Sequence, residues 1–192
     1  NEQGQVLDGH GEALSDPRIV LHGAHRLQTI MPDMSAPRWK PSVTVAAVIE
    51  RDGRFLLIEE HTAGGLKLNN PAGHLDPGES PAEGCARETL EETAWHFEPT
   101  ALVGIYMSRF TRAVDGEDIT YLRFAFCGVL GAHEPGRPLD EGIVGTVWMT
   151  PDEIRANAHR LRSPMVLQCM EDYLRGQRAP LEMLYTDPSV YR

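Results

Sequence analysis

Three glutamates in one segment of the chain share a spacing that is suited to holding a metal ion. Glu88, Glu91 and Glu92 stand at positions i, i+3 and i+4 within residues 73–95, which read GHLDPGESPAEGCARETLEETAW. At about 100° per residue, an α-helix would place all three carboxylates within roughly one third of its circumference. Ligand sets made only of oxygen suit a hard cation such as Mg²⁺ or Mn²⁺. The spacing therefore predicts a divalent-cation site on this helix.

The residues before these glutamates predict where the helix begins. Ser80 is a favourable N-cap, Pro81 occupies a first helical position that needs no amide donor, and Glu83 completes a capping box with Ser80. The helix is therefore predicted to start at about Pro81. The opposite side of the helix carries the residues predicted to form its packing face, which are Ala82, Ala86, Leu90 and Thr93.

A plain solvated acidic face is the alternative interpretation of this helix. Like charges three or four residues apart destabilise a helix by only about 0.2–0.5 kcal/mol per pair, so repulsion alone does not exclude it. A surface helix usually intersperses lysines among its acids, however, and the only basic residue between Pro81 and Trp95 is Arg87. This composition favours the metal site.

A turn at residues 76–79 is predicted to bring a further carboxylate to the helix. The turn reads Asp-Pro-Gly-Glu and ends on Glu79. Glu79 is then predicted to make a bidentate contact with Arg87, and Glu83 lies one turn earlier as a second partner. Arg87 would thereby orient carboxylates. Gly73 indicates a close backbone approach, and its carbonyl is a candidate oxygen ligand.

This arrangement resembles the Nudix box of the Nudix hydrolase family. Gly73 is followed after five residues by Glu79, and after seven more by residues 87–95, which read RETLEETAW. Thr89 stands where the family usually has an aliphatic residue, and this change is expected only to reduce the apolar packing of the helix slightly. Ala94 stands where the family usually has glycine. Ala94 is expected either to end the helix in a left-handed conformation, at about 1 kcal/mol, or to let the helix run on by one residue.

The resemblance implies a fold, a reaction and a set of roles. The implied fold is of the α/β class, an α/β/α sandwich around a mixed sheet, and the implied activity is Mg²⁺-dependent hydrolysis of a small anionic diphosphate, with Mn²⁺ as a possible substitute. The implied metal ligands are Gly73 through its carbonyl, Glu88, Glu91 and Glu92. The catalytic candidates are Glu91, Glu92, Arg87 and Glu79, and Glu91 is the predicted general base.

Two further places are candidates for the same chemistry. Asp140 and Glu141 precede a predicted strand at Val144 and are candidates for an additional ligand or base, with a solvated turn as an equally good interpretation. His74 lies in the box loop and is a candidate substrate contact, but a solvent-facing or backbone-bonded role is favoured.

The flanking stretches extend the resemblance over residues 39–184. Residues 39–60, 69–75 and 161–184 resemble a phosphatase branch of the family that acts on hydroxymethylpyrimidine diphosphate, thiamine diphosphate and nucleotides. A pyrophosphohydrolase for another nucleoside diphosphate linked to X is the alternative, with a nucleotide sugar, ADP-ribose or a damaged nucleoside triphosphate as substrate. A non-catalytic binding module is a third hypothesis, against which the intact set of three glutamates weighs.

Substrate-binding candidates lie on a predicted strand at residues 119–131 and beside it. Tyr121 and Arg123 alternate there with apolar residues, so one face of the strand carries the arginine. Arg123 would suit a phosphate oxygen, with Arg109 as the second choice. Tyr121 and Asn70 complete the candidate set, although core packing is the default interpretation for the aromatic residues.

The remaining pattern predicts a single domain over residues 38–192. Strands are predicted at residues 42–50, 54–60, 100–108, 119–131 and 144–149, the first two joined by a hairpin turn at residues 51–53. Two further helices are predicted to begin at Pro151 and at Pro164, the second ending by Gly176. This order fits a mixed sheet between helical layers.

Residues 1–37 do not continue this pattern and are predicted to be an N-terminal arm. They carry scattered glycines and no sustained periodicity. Residues 18–21, which read Arg-Ile-Val-Leu, are the segment in the arm predicted to dock as a strand, with a neighbouring molecule as a possible recipient. The arm is therefore a candidate contact for a homo-oligomer.

Composition limits the partners and the compartment. The net charge of −10 argues against a general nucleic-acid-binding surface, and it makes bridging cations a requirement for an anionic substrate. No apolar run approaches the roughly 20 residues of a membrane span, and the chain is expected to be soluble and cytoplasmic. Three cysteines without paired spacing are expected to be free thiols in or near the core.

Overall fold

The computed structural model describes residues 38–112 and 116–192. Within these ranges the strands are β1 (Ser42–Ala47), β2 (Glu50–Arg51), β3 (Arg54–Thr62), β4 (Gly65–Asn69), β5 (Ala72–His74), β6 (Trp95–Thr111), β7 (Asp118–His133), β8 (Ile143–Met149) and β9 (Ala179–Pro180). The α-helices are α1 (Pro81–Thr93), α2 (Pro151–Ala156) and α3 (Pro164–Leu174). Short 3₁₀ helices cover Ala158–Arg160, Leu181–Met183 and Pro188–Tyr191. The prediction of a docking strand at residues 18–21 lies outside the described residues.

Strand directions confirm the predicted mixed sheet. Five strands pair in the order β5-β1-β7-β6-β9. Strands β1 and β7 run parallel, whereas the β5–β1, β7–β6 and β6–β9 pairs are antiparallel. In the second sheet, β3 pairs antiparallel with β2, β4 and β8.

Residues of β1 alternate between two hydrophobic clusters. Val45 and Ala47 pack in one cluster with Cys85 of α1, whereas Ala46 packs in the other with Cys169 of α3. Successive side chains of a strand point to opposite faces, so α1 covers one face of the mixed sheet and α3 covers the other. The predicted α/β/α sandwich is confirmed.

The strand boundaries differ from the predicted ones where pairing partners are distant in sequence. The hairpin turn lies at Asp52 and Gly53, whose φ values are 54° and 74°. Strands β6 and β7 are longer than predicted because they pair along nearly their whole length. Strands β4 and β5 were not predicted. The three residues of β5 read Ala-Gly-His, which carries no strand signal, and their pairing with β1 is what makes them a strand.

The two later helices begin where they were predicted to begin. Thr150 and Glu153 form a capping box before α2, and Gly176 follows α3 with a φ of 80°. The N-cap residue of α3, Ser163, makes no side-chain capping bond. All three cysteines are free and buried, as predicted. Among the described residues, no helix is both long and apolar enough to cross a bilayer.

Candidate active site

Helix α1 begins and ends as its sequence dictates. The Glu83 amide donates to Ser80 Oγ over 3.3 Å, and the Ser80 amide donates to Glu83 Oε2 over 2.7 Å, which completes the capping box. At the other end Ala94 has a φ of 57°, and its amide donates to the Leu90 carbonyl. The first of the two expectations for Ala94 is therefore confirmed: alanine ends the helix in a left-handed conformation.

The face of α1 that packs against the protein is only partly the predicted one, since Thr93 is buried and Ala82 packs against the core as predicted. Its buried residues are Gly84, Cys85, Glu88, Thr89, Glu92 and Thr93. Ala86 and Leu90 are only partly buried. The predicted separation of a packing face from an acidic face is wrong, because β5 lies against the helix and draws two glutamates inward. Glu88 and Glu92 are each only 8% exposed.

Arg87 connects the carboxylates of the site. Its Nε and Nη2 donate to the two carboxylate oxygens of Glu79 over 2.9 and 2.8 Å, so the predicted bidentate contact is confirmed. Its Nη1 donates over 2.8 Å both to Glu88 Oε1 and to Glu91 Oε2. The second predicted partner is wrong, because the Glu83 carboxylate accepts from the Ser80 amide and from the Tyr191 hydroxyl instead. Arg87 holds three carboxylates in place.

A glycine gives Glu88 the room to lie inward. A Cβ added at Gly73 would lie 2.1 Å from the Glu88 carboxylate. No side chain larger than hydrogen fits at that distance, so the predicted close approach at Gly73 is confirmed, with Glu88 as the group that approaches. Next to it, Glu92 Oε2 accepts the Ala72 amide over 2.7 Å. Strand β5 is therefore the element that receives both buried glutamates.

Burial and hydrogen bonding move the pKa values of these carboxylates in opposite directions. The hydrogen bond from Arg87 lowers the pKa of Glu79. Burial raises the pKa of Glu88, which Arg87 opposes. Burial raises the pKa of Glu92 to about 8, against the lowering effect of the Ala72 amide. A cation close to Glu88 and Glu92 would favour the ionised form of each.

Three carboxylates are close enough to share one ion. Ligand atoms of Glu88, Glu91 and Asp140 all lie within 4.8 Å of one another. The Asp140 amide donates to the Glu91 carbonyl over 3.2 Å, which ties the loop before β8 to α1. Asp140 thus lies with the box glutamates, whereas Glu141 is exposed and is not in this group. Glu92 also lies outside the group of three.

The chemistry of this group fits a divalent cation. Every donor is a carboxylate oxygen, which is the ligand type that Mg²⁺ and Mn²⁺ prefer. Arg87 binds one oxygen each of Glu88 and Glu91. Within the described ranges, the second oxygen of each of these carboxylates accepts no protein hydrogen bond, so it is available to an ion. We call Glu88, Glu91 and Asp140 the carboxylate group.

A cavity of about 530 Å³ is lined by His74 and by Gly73, the residue that Glu88 touches. The members of the carboxylate group do not line it themselves. Of the four predicted substrate-binding residues, Arg123, Tyr121 and Arg109 line the cavity. Asn70 is buried and does not line it; the lining residue is its neighbour Asn69.

Aromatic rings form one wall of this cavity. Tyr121 stacks on Phe110 with ring centroids 5.7 Å apart and planes at 21°, and its ring lies 5.9 Å from His74. His74 is exposed, which agrees with the favoured solvent-facing role, and it also lines the cavity. Arg109 is exposed and forms an ion pair with Asp118.

Several lining residues were not identified from sequence. They are Thr44, Glu60 and Ser163, and each has a buried side-chain atom without a hydrogen-bond partner among the described residues. They come from β1, β3 and the residue before α3. No spacing rule connects three single residues on three elements, so the sequence carried no signal for them as a set.

Comparisons with known proteins agree with this geometry. A NUDIX domain family model matches residues 38–169. The chain is 38% identical over 146 residues to the Phosphatase NudJ of Escherichia coli strain K12, a match that covers 76% of this chain and 92% of that protein. A solved NUDIX hydrolase from Nitrosomonas europaea is 52% identical, with a TM-score of 0.71, over 77% of this chain and 98% of that one. The MutT protein from Methanosarcina mazei Go1 shares the fold at 23% identity and a TM-score of 0.57, over 73% of this chain and 98% of that one. With the glutamates on α1 and the sandwich around them, these matches establish that the chain belongs to the Nudix hydrolase family.

Proposed function

We propose that this Nudix hydrolase is a Mg²⁺-dependent enzyme that cleaves the diphosphate linkage of small organic diphosphates or nucleotides. The observation that carries the proposal is the carboxylate group beside the cavity. Resemblance to Phosphatase NudJ supports release of phosphate as the reaction. The candidate substrates are hydroxymethylpyrimidine diphosphate, thiamine diphosphate and nucleoside di- and triphosphates.

The proposed metal ligands are the carboxylates of Glu88, Glu91 and Glu92 and the Gly73 carbonyl. Asp140 is added because its carboxylate lies close to those of Glu88 and Glu91. A divalent cation bound there would neutralise phosphate charge and lower the pKa of a water molecule. Because the chain carries a net charge of −10, an anionic substrate would otherwise be repelled by the carboxylates. We therefore expect substrate binding and metal binding to be coupled.

The protein residues then have distinct tasks. Arg87 keeps Glu88 and Glu91 at the spacing that the site needs, and Glu79 holds Arg87 in turn. In the proposed mechanism Glu91 accepts the proton of the attacking water. Its side chain is more exposed than those of Glu88 and Glu92, so it is the box glutamate that water reaches most easily. The oxygen of that water forms the new P–O bond as the P–O–P bridge breaks.

The cavity is proposed to take the organic part of the substrate. Tyr121 and Phe110 offer stacked rings, against which a planar ring would pack. Arg123 is the proposed cationic contact inside the cavity, and Arg109 is a weaker candidate at its exposed rim because Asp118 already pairs with it. Asn70 was the predicted amide contact, but its neighbour Asn69 lines the cavity, so Asn69 is the amide proposed to contact the substrate.

A Mg²⁺-dependent phosphate-release screen tests the proposal. Thiamine diphosphate, hydroxymethylpyrimidine diphosphate, nucleoside di- and triphosphates and ADP-ribose are each assayed with and without added pyrophosphatase. Direct release of orthophosphate that EDTA abolishes supports the proposal. Release of pyrophosphate, or of a nucleoside monophosphate with a phosphosugar, supports the alternative pyrophosphohydrolase. Tight binding without turnover of any substrate supports the binding module and contradicts catalysis.

A cytoplasmic location is part of the same proposal. It is supported by three buried cysteines that are all free. Fractionation of cells that express the full natural gene, followed by immunodetection in each fraction, tests it.

A further inference from the structure

Arg123 is a buried cation that forms no hydrogen bond or ion pair with the other described residues. Its residue is 7% exposed, and its Nε and Nη1 atoms are buried and have no hydrogen-bond partner among the described residues. Burial lowers the pKa of Arg123, but an arginine stays protonated in proteins. The charges of Glu92 and Glu60 favour its protonated form without contacting it, and a buried cation is stabilised most by an anion that does contact it.

The other charged residues of the cavity do not supply that anion. Glu60 also lines the cavity and favours the charged form of Arg123, but among the described residues its ion pair is with Arg162, another lining residue, with 3.6 Å between Glu60 Oε1 and Arg162 Nε. Arg109 is neutralised by Asp118. Among the described lining residues the remaining charge is the positive one of Arg123.

The N-terminus of α3 opens into the same cavity. Ser163, Pro164 and Met165 all line it, and α3 has 11 residues. Ser163 is the N-cap of α3 but forms no side-chain capping bond, and its buried Oγ has no partner. The N-terminus of a helix carries a partial positive charge, and the donors at its first turn favour anions. The cap is thus left free to bind something other than its own helix.

A third donor lies beside the arginine. Thr44 of β1 is the register partner of Arg123 on β7, and its Oγ is buried without a partner. Donors from β1, β7 and the start of α3 therefore surround one space. A carboxylate offers only two oxygens in one plane, whereas the tetrahedral oxygens of a phosphate suit donors that come from three elements.

We propose that Arg123, Thr44, Ser163 and the N-terminus of α3 form a phosphate-binding subsite that needs no divalent cation. The subsite lies on the α3 side of the mixed sheet and would hold one phosphate group of the substrate while the carboxylate group holds the metal. This inference rests on the proposed function, because it assigns the bound phosphate to the same substrate.

Inorganic phosphate and EDTA test the subsite on the full chain. Thermal unfolding is followed while phosphate is titrated in the presence of EDTA, with chloride keeping the ionic strength constant. Phosphate is expected to raise the unfolding midpoint of the wild-type chain. Arg123→Met is expected to need about tenfold more phosphate for the same rise, because charge-assisted hydrogen bonds are lost. Arg54→Met removes an exposed arginine that pairs with Glu153, and it is the matched control that should respond like the wild type.

The inference is overturned if phosphate in the presence of EDTA does not raise the thermal unfolding midpoint of the wild-type chain. It is also overturned if the midpoint of Arg123→Met rises with phosphate as strongly as that of the wild type. If Arg123→Met does not fold, Ser163→Ala and Thr44→Val replace it. Both are expected to weaken the response, and an unchanged response in both contradicts the subsite. The two proposals fail separately: this titration contains no metal and no turnover, whereas the phosphate-release screen requires both.

Discussion

At the scale of single residues, contacts between glutamates and small neighbours shape the site. The Glu88 carboxylate occupies the space that a side chain at Gly73 would need, and Glu92 accepts a hydrogen bond from the Ala72 amide. Buried carboxylates are unfavourable without a partner, and here Arg87 supplies only part of the compensation to Glu88. In the proposed function, a divalent cation would supply the remaining compensation for these buried charges.

Gly73→Ala tests the contact with Glu88. The new Cβ would lie 2.1 Å from the carboxylate, so Glu88 must move away from the position in which it joins Glu91 and Asp140. We expect kcat to fall at least tenfold, the Mg²⁺ concentration for half-maximal activity to rise, and the chain to lose about 1–3 kcal/mol of stability through overpacking. Gly145→Ala is the control, because a Cβ there meets nothing within 4 Å. Equal activity in both variants would contradict the role of Gly73.

Glu91→Gln and Glu92→Gln test the assignment of the general base. Glutamine keeps the shape of each side chain but cannot accept the proton from water. At saturating Mg²⁺ we expect kcat of Glu91→Gln to fall by about 10²–10⁴-fold. Glu92→Gln is expected to lose less, since Glu92 lies outside the carboxylate group. Glu141→Gln, at an exposed position beside Asp140, is the control. The assignment is wrong if Glu91→Gln and Glu92→Gln both keep the wild-type kcat.

At the scale of elements, local residues determine where α1 begins and ends, whereas tertiary contacts determine which of its faces is buried. Its capping box and its left-handed end at Ala94 follow from residues within the helix and next to it. Its orientation does not. β5 and β1 lie along the helix, and their contact turns Glu88 and Glu92 inward although both are polar.

Ser80→Ala tests how far the cap of α1 supports the site. Loss of the cap should cost about 1 kcal/mol of stability, because the Glu83 amide loses its acceptor. Thr150→Ala removes the equivalent cap of α2 and should cost a similar amount. Thermal unfolding measures both. Only Ser80→Ala is expected to raise the Mg²⁺ concentration for half-maximal activity, because α1 carries Glu88 and Glu91. If Thr150→Ala raises it equally, the effect belongs to global stability.

At the scale of the whole molecule, the mixed sheet separates two kinds of binding group. Helix α1 with the carboxylates packs on one face, and α3 with its free N-cap packs on the other. The long β6–β7 hairpin carries Arg123 and Tyr121 to the cavity. In the proposed function, cationic and anionic groups would thus approach one substrate from different sides of the sheet.

The division into an arm of residues 1–37 and a Nudix domain of residues 38–192 is a proposal at this scale. The described residues from Lys40 to Arg192 form one compact unit, which supports it. We predict that a chain starting at Arg38 keeps the wild-type kcat and unfolds cooperatively. If the arm joins two copies, sedimentation velocity should show a larger species for the full chain than for the shortened one. Equal association states, after correction for mass, would contradict a role of the arm in assembly.

Much of the site followed from the sequence alone, because its signals are local. Glutamates at i, i+3 and i+4 share a helix face, the Ser80–Glu83 pair starts that helix, and a turn at residues 76–79 brings Glu79 to Arg87. Each of these relations spans no more than about two helical turns. The starts of α2 and α3 are local in the same way.

Tertiary structure alone decided which face of α1 is buried, that Asp140 completes the carboxylate group, and that Asn69 lines the cavity where Asn70 was expected. It also brought Thr44, Arg123 and Ser163 together, three residues whose separation along the chain reaches more than a hundred positions. Local spacing determines which side chains one element presents. Which elements meet is determined by strand pairing and core packing across the whole chain, and no residue pattern within a single element encodes that.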